Sequence, residues 1–341
     1  MQASHQEEAL FPDLPVIDSQ HHLVDRVSDE IAPVLGLRRF LIDDYVDYLG
    51  NTHNVIASIA VEGRAMYRAT GPVERRPVGE TEFLNGQAAM AASGEYGSCL
   101  VGAGIIAHLD FRIGDGIGKL VDAHAAAAPQ RLKGFRQSAL WDADPSILGS
   151  VSFGGEGLYR QDAFLRGFRQ FAKLGYIFDA FVLAPQLGDV IALARQFPDT
   201  QIVVGHVGQP IGIGAHAGRM GAEYPQWRSD MATLAACGNV SVKLGGLGSY
   251  LTGFDTFRAD PPASSERLAA DWRPYVEVAV ELFGAGRCMF ESNRPTDDSG
   301  SFGTLCNAYK RITAGCSAGE RVAIFAGTAQ RIYRLEIEEY L

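Results

Sequence analysis

The chain has 341 residues, 47% of them hydrophobic, and 30 Lys and Arg against 40 Asp and Glu, for a formal net charge of -10. That size and apolar share allow a large core in one barrel or two domains, while the acidic balance speaks against nucleic acid or an anionic membrane as partner. The first eight residues carry no basic-then-apolar leader pattern, no stretch is long and apolar enough to span a bilayer, and the five cysteines (Cys99, Cys237, Cys288, Cys306, Cys316) lack Cys-x-x-Cys spacing, so a cytoplasmic protein with reduced thiols and a small-molecule substrate is expected, monomeric or a homo-oligomer.

Short β-branched or apolar runs alternate with amphipathic stretches along the whole chain. Strands are predicted at Leu14–Asp18, Val55–Glu62, Leu100–His108, Leu132–Arg136, Ile177–Leu183, Gln201–His206, Val240–Leu244 and Arg287–Asn293. Helices are predicted at Arg39–Leu49, Thr81–Gly94, Gly116–Ala128, Asp162–Leu174, Leu187–Gln196, Met220–Ala236, Arg267–Phe283 and Ser317–Leu335. Strands that alternate with helices pair in parallel, and eight such units point to a single (β/α)8 TIM barrel over residues 1–341. A doubly wound sheet is the alternative, but no Gly-x-Gly-x-x-Gly follows the first strand. Residues 1–13 form an N-terminal extension, and the long connections 64–78 and 247–265 are expected to lie over the mouth as lids.

Function in such a barrel sits where strands stop and the following loops begin. The first strand runs into Asp18-Ser19-Gln20-His21-His22, and period 2 places Asp18, Gln20 and His22 on one face and His21 on the other. The later strands end in Glu62, His108, Arg136, Asp179, His206, Lys243, and Glu291 with Asn293. Three imidazoles, several carboxylates and two cations on one rim would perturb one another strongly, and such a set suits Zn, Mn or Fe. His21, His53, His124 and His216 are expected to be structural. Tyr67, Trp141, Tyr159 and Tyr250 are candidates to line an apolar part of the pocket, or simply to pack.

Six motifs in barrel-compatible order resemble the amidohydrolase-related family, in the branch of small-lactone hydrolases and ring-cleavage decarboxylases. They are Val16–Leu23, Lys133–Arg136, Phe197–Asp199 with Gly205–Pro210, Asn239–Leu244, Met289–Pro295, and Phe325–Ala329 with Tyr333–Leu335. Two positions depart from the family pattern. Where the family has His-x-His at the first strand, this chain has Gln20 and His22; where it has Ser-Asp-x-Pro, with the Asp as the base that activates water, this chain has Asn293. An amide takes no proton at neutral pH and is a poor metal ligand.

The resemblance supports three readings. In the first, the protein hydrolyses a lactone, ester or amide of a small carboxylated or oxygenated molecule. His206 or Glu291 replaces the missing base, Arg136 holds substrate, Lys243 or a metal polarises the carbonyl, and Gln20 and Asn293 stand at the altered positions; some lactonases of the family are thought to work without tightly bound metal. The second takes His22, Glu62, His108, His206 and Glu291 as a relocated ligand set for one or two iron or manganese ions, in the manner of the family's non-haem diiron oxygenases. Decarboxylation is a relative of the first reading, and the third is a binding protein without catalysis.

Overall fold

Eight parallel strands are hydrogen-bonded in sequence order, β1 to β8, in a computed structural model that describes residues 7–26, 38–149, 151 and 153–337. They are β1 (Val16–His21), β2 (Val55–Val61), β3 (Leu100–His108), β4 (Leu132–Arg136), β5 (Ile177–Ala180), β6 (Ile202–Val204), β7 (Val240–Lys243) and β8 (Cys288–Met289). The ring closes between the last and first strands. Ser19 N donates to Phe290 O (3.1 Å), Asn293 N to Gln20 O (2.9 Å) and His22 N to Arg294 O (2.8 Å). A barrel strand is covered on both faces, which is why runs such as Val55-Ile56-Ala57 and Ile202-Val203-Val204 are apolar throughout.

Helices follow every strand: α1 (Ile42–Leu49), α2 (Val78–Ala91), α3 (Ile117–Ala127), α4 (Asp162–Phe171), α5 (Leu187–Gln196), α6 (Met220–Ala235), α7 (Ser265–Phe283) and α8 (Phe302–Ile312). The (β/α)8 TIM barrel expected from the alternation is therefore the fold. Phe164, Phe168 and Phe171 of α4 meet Phe111 and Phe178 in the layer between helices and barrel. Inside the barrel, Ile17, Ile59, Val61, Ile106, Ile177, Val203 and Met289 pack with Ala329, Ile332 and Tyr333 from the end of the chain. Lys133, near the start of β4, donates to Arg334 O, so this terminal segment plugs the end opposite the strand tips.

The structure departs from expectation in local ways. Helix α8 is not foreseen in the sequence; its Gly303, Thr304, Cys306 and Asn307 are weak helix formers, and the Ser301 side chain supplies the start by accepting from Thr304 N. The predicted Ser317–Leu335 helix is interrupted by a π turn at Ala323–Gly327. The first strand continues to His21, and its register against β2 slips between Asp18 and His21. That slip overturns the predicted face of Asp18: its carboxylate points to the helix layer, where it accepts from Tyr45 OH (2.9 Å), Ser292 N (2.7 Å) and Ser292 Oγ (2.6 Å). Gln20 and His22 stay inside. Of the expected N-terminal extension, residues 1–6 lie outside the described residues, and Leu10 N donates to Asn307 Oδ1 on α8. No helix among the described residues is long and apolar enough to cross a membrane.

Candidate active site

The strand tips bring Gln20, His22, Arg136, Asp179, His206, Lys243, Glu291 and Asn293 together, all of them buried. The centre is the Gln20 carboxamide. Its Oε1 accepts from Arg136 Nη2 (2.6 Å) and Lys243 Nζ (3.0 Å), which fixes the amide's orientation because both partners can only donate. Its Nε2 donates to Asn293 Oδ1 (3.1 Å) and faces His22 Nε2 (3.3 Å) and His206 Nε2 (3.4 Å).

Both imidazoles are oriented from behind. His22 Nδ1 lies 3.0 Å from Val61 O and 3.1 Å from Glu62 O; carbonyl oxygens only accept, so Nδ1 carries the proton and Nε2 the lone pair. Burial, reinforced by Arg136, lowers the His22 pKa to about 4 and keeps the ring neutral. His206 Nδ1 lies 2.8 Å from Glu291 Oε1, which directs its Nε2 lone pair inward. Phe181 packs edge-on to His206 at 4.8 Å between ring centres. The loop after β7 must pass very close behind this pair. A Cβ on Gly246 would collide with the His206 side chain and one on Gly245 with Glu291, which explains the paired glycines after Lys243-Leu244. His206, Val207 and Gln209 adopt φ of 58°, 46° and 42°, a left-handed backbone of the kind concentrated at functional sites.

Asp179 is the counter-ion beneath the amide. Its Oδ1 accepts from Arg136 Nε (2.9 Å) and Nη2 (2.7 Å), and its Oδ2 from Lys243 Nζ (2.6 Å). Burial alone would raise the Asp179 pKa, but the two cations outweigh it and hold it at about 2. Burial lowers the Lys243 pKa, opposed by Asp179. With both its neighbours engaged below the amide, Lys243 does not line the cavity, whereas Arg136 does. That cavity, between His22, Glu62, Arg64, Arg136, Phe181, His206 and Asn293, holds about 20 Å³, room for one water.

The five residues expected as an iron or manganese set are not gathered into one cluster. His22 and His206 turn their lone pairs on Gln20, Glu291 is engaged by His206, and the Glu62 carboxylate lies 3.9 Å from His108. Burial lowers the His108 pKa to about 3, and Glu62 Oε2 and His108 Nδ1 have no hydrogen-bond partner among the described residues. No group of three or more His, Cys, Asp or Glu among the described residues is arranged to hold a metal ion. The donors that do converge, the imidazoles of His22 and His206 and the Asn293 amide oxygen, meet the N–H end of Gln20 with Arg136 and Lys243 just behind it. As placed, this set does not fit a divalent cation.

Four histidines expected to be structural each find a partner outside the centre: His21 with Ser58, His53 with Lys310, His124 with Thr81, and His216 with Asp142 and Glu223. Of the aromatic candidates, Tyr250 lines the cavity, while Tyr159 is core and donates to Gln137 O; Tyr67 and Trp141 are not among its lining residues. Sequence reasoning missed Phe153, Phe181 and Asp297. Only Asp297 left a signal, an acid four residues beyond Asn293.

A family model described as amidohydrolase matches residues 17–335. An uncharacterised protein, y4mH, of Sinorhizobium fredii is 31% identical over 338 residues, covering 95% of this chain and 99% of its own length. An L-fucono-1,5-lactonase of Burkholderia multivorans is 28% identical over 208 residues, covering 60% of this chain and 64% of its own. An amidohydrolase from Burkholderia multivorans with bound zinc has the same fold in its crystal structure, at a TM-score of 0.72 and 24% identity over 94% of this chain and 99% of that one. With the family model spanning nearly every strand and helix of the barrel, this chain belongs to the amidohydrolase family.

Proposed function

We propose that this enzyme hydrolyses a lactone of a small, oxygen-rich molecule, with the His206–Glu291 pair as its base. The observation that carries the reading is the 2.8 Å contact of His206 Nδ1 with Glu291 Oε1, which turns Nε2 inward in a cavity that Arg136 also lines. The L-fucono-1,5-lactonase of Burkholderia multivorans, similar over 60% of this chain, supports a sugar-derived lactone as the substrate class.

The residues divide the work as follows. His206 Nε2 exchanges its 3.4 Å contact with the Gln20 –NH2 group for a water, which leaves that hydrogen to His22, and takes a proton from the water as its oxygen bonds to the lactone carbonyl carbon; Glu291 stabilises the imidazolium that results. Arg136 Nη1, which makes no hydrogen bond among the described residues, is free to meet the oxyanion, and its charge acts in a site shielded from bulk water. When the bond to the ring oxygen breaks, that oxygen recovers the proton from His206, giving an open hydroxy acid whose carboxylate suits the guanidinium. Asn293 cannot serve as base; its oxygen is turned to Gln20 and His22. A cavity with room for one water does not admit a lactone, so this reading requires the segments bearing Arg64 and Phe153 (guanidinium 4.4 Å from the ring centre) and Tyr250–Leu251 to part.

Release of acid from sugar 1,5-lactones by the purified enzyme tests the proposal. His206→Ala is expected to lower kcat/KM by about 10²–10⁴. Unchanged turnover in that variant, or no lactone turned over, would overturn it.

A further inference from the structure

We infer that the Gln20 carboxamide stands in place of a bound cation: its –NH2 group occupies the point on which the lone pairs of His22, His206 and Asn293 converge, so the site is organised without metal. Three acceptors from three different strand tips lie 3.1–3.4 Å from one nitrogen atom. An amide nitrogen brings two donor hydrogens to such a point, and with three acceptors around it one hydrogen is shared. What a cation would supply by charge, this group supplies by N–H polarity.

The amide cannot turn over to offer its oxygen instead. Arg136 Nη2 and Lys243 Nζ hold Oε1 on the opposite side, and reversal would set two N–H groups against two buried cations. Nor is the charge balance that of a cation site. Among the described residues Asp179 is the one carboxylate hydrogen-bonded to Arg136 and Lys243, so two cations share a single bonded counter-ion directly behind the amide; Asn293 adds no charge, and the Glu291 carboxylate is bonded to His206 on the far side of the ring. The role of Gln20 is to position: it aims two lone pairs and one amide oxygen at a common point and holds them there. This inference does not rest on which bond the enzyme cleaves, and its test does not read turnover.

Zinc content and thermal stability decide it. The wild-type full chain, incubated with zinc chloride and freed of excess by gel filtration, is expected to retain well under one equivalent by elemental analysis, and its melting temperature is expected to be the same in zinc and in EDTA. Gln20→Glu keeps the oxygen that Arg136 and Lys243 hold and replaces the inward –NH2 with a carboxylate oxygen. With His22 and His206 this makes two imidazoles and a carboxylate, a donor set that zinc accepts. That variant is expected to bind about one equivalent of zinc, on the order of 100-fold more tightly than wild type, and to melt higher when zinc is present. Stoichiometric zinc in the wild type, lost in His22→Ala, overturns the inference without any need for the glutamate variant. A folded Gln20→Glu protein that binds no zinc overturns it as well.

Discussion

Asn293 Nδ2 donates to Asp297 Oδ1 at 2.8 Å, so an acid four residues downstream decides which end of the Asn293 amide faces the site. Burial pushes the Asp297 pKa up to about 8, and Gly248 N donates to its other oxygen (3.1 Å). Asn293→Asp removes that donor and buries a second acid beside one that already holds a proton, at an expected loss of about 1–3 kcal/mol. Adding Asp297→Asn restores one donor and one acceptor in reversed order. The double variant is therefore expected to recover at least about 1 kcal/mol over the sum of the single losses, as read from urea denaturation. Strict additivity would show that the two side chains do not sense each other.

Glu291 is expected to act through His206 and not on substrate. It accepts from both the ring and the backbone nitrogen of His206, at 2.8 and 3.2 Å. Glu291→Gln keeps the shape, removes the charge that stabilises an imidazolium, and lets an N–H face Nδ1. On the proposed mechanism kcat falls by roughly 10²–10⁴ with KM within a few-fold. A change confined to KM would instead place Glu291 in substrate binding.

The barrel was legible because eight short apolar runs, from Val16–His21 to Cys288–Met289, alternate with helices, and no dinucleotide-binding glycine motif follows the first to favour an open sheet. Most tip residues were legible by the same logic, since a Lys or Arg closing an apolar strand has no purpose in the core. What the sequence hid came from local geometry. The slip in β1 moves Asp18 to the helix side while Gln20 and His22 stay inside, and no period-2 rule registers a bulge. Gln20 read as a lost histidine; only the two cations holding its oxygen reveal that its nitrogen has a task. Phe153 and Phe181 reach the cavity by loop paths that composition does not encode.

Asp179→Asn tests what holds the cations under the amide. Arg136 and Lys243 are both buried and share this one carboxylate. Neutralising it leaves two buried positive charges without a counter-ion, which is expected to cost about 3–5 kcal/mol. The loss should be seen in the urea midpoint, and it should shrink when Lys243→Met is combined with it, since one of the stranded charges is then gone. A single variant as stable as wild type would mean that water or Glu62 already screens the pair.

Glu80 ties the loop that walls the cavity to α2, and its ionisation should set the pH dependence of stability. Its Oε1 accepts from Gly63 N (2.8 Å) and Ala65 N (2.9 Å), while its Oε2 has no hydrogen-bond partner among the described residues. Burial, then the nearby Glu62 charge, raises its pKa from the ordinary 4.5 to about 8. The folded protein thus holds a proton that the unfolded chain releases near 4.5. The contribution is complete below that pH and is lost as the pH climbs towards 8, amounting to a few kcal/mol at most. Glu80→Gln keeps the accepting oxygen and cannot ionise. Its unfolding free energy is expected to match wild type near pH 4.5 and to exceed it at pH 8.5, with the gap opening between. Parallel curves for the two proteins would show that Glu80 is already ionised in the folded state at neutral pH, and that the loop bearing Arg64 rests on a charged carboxylate.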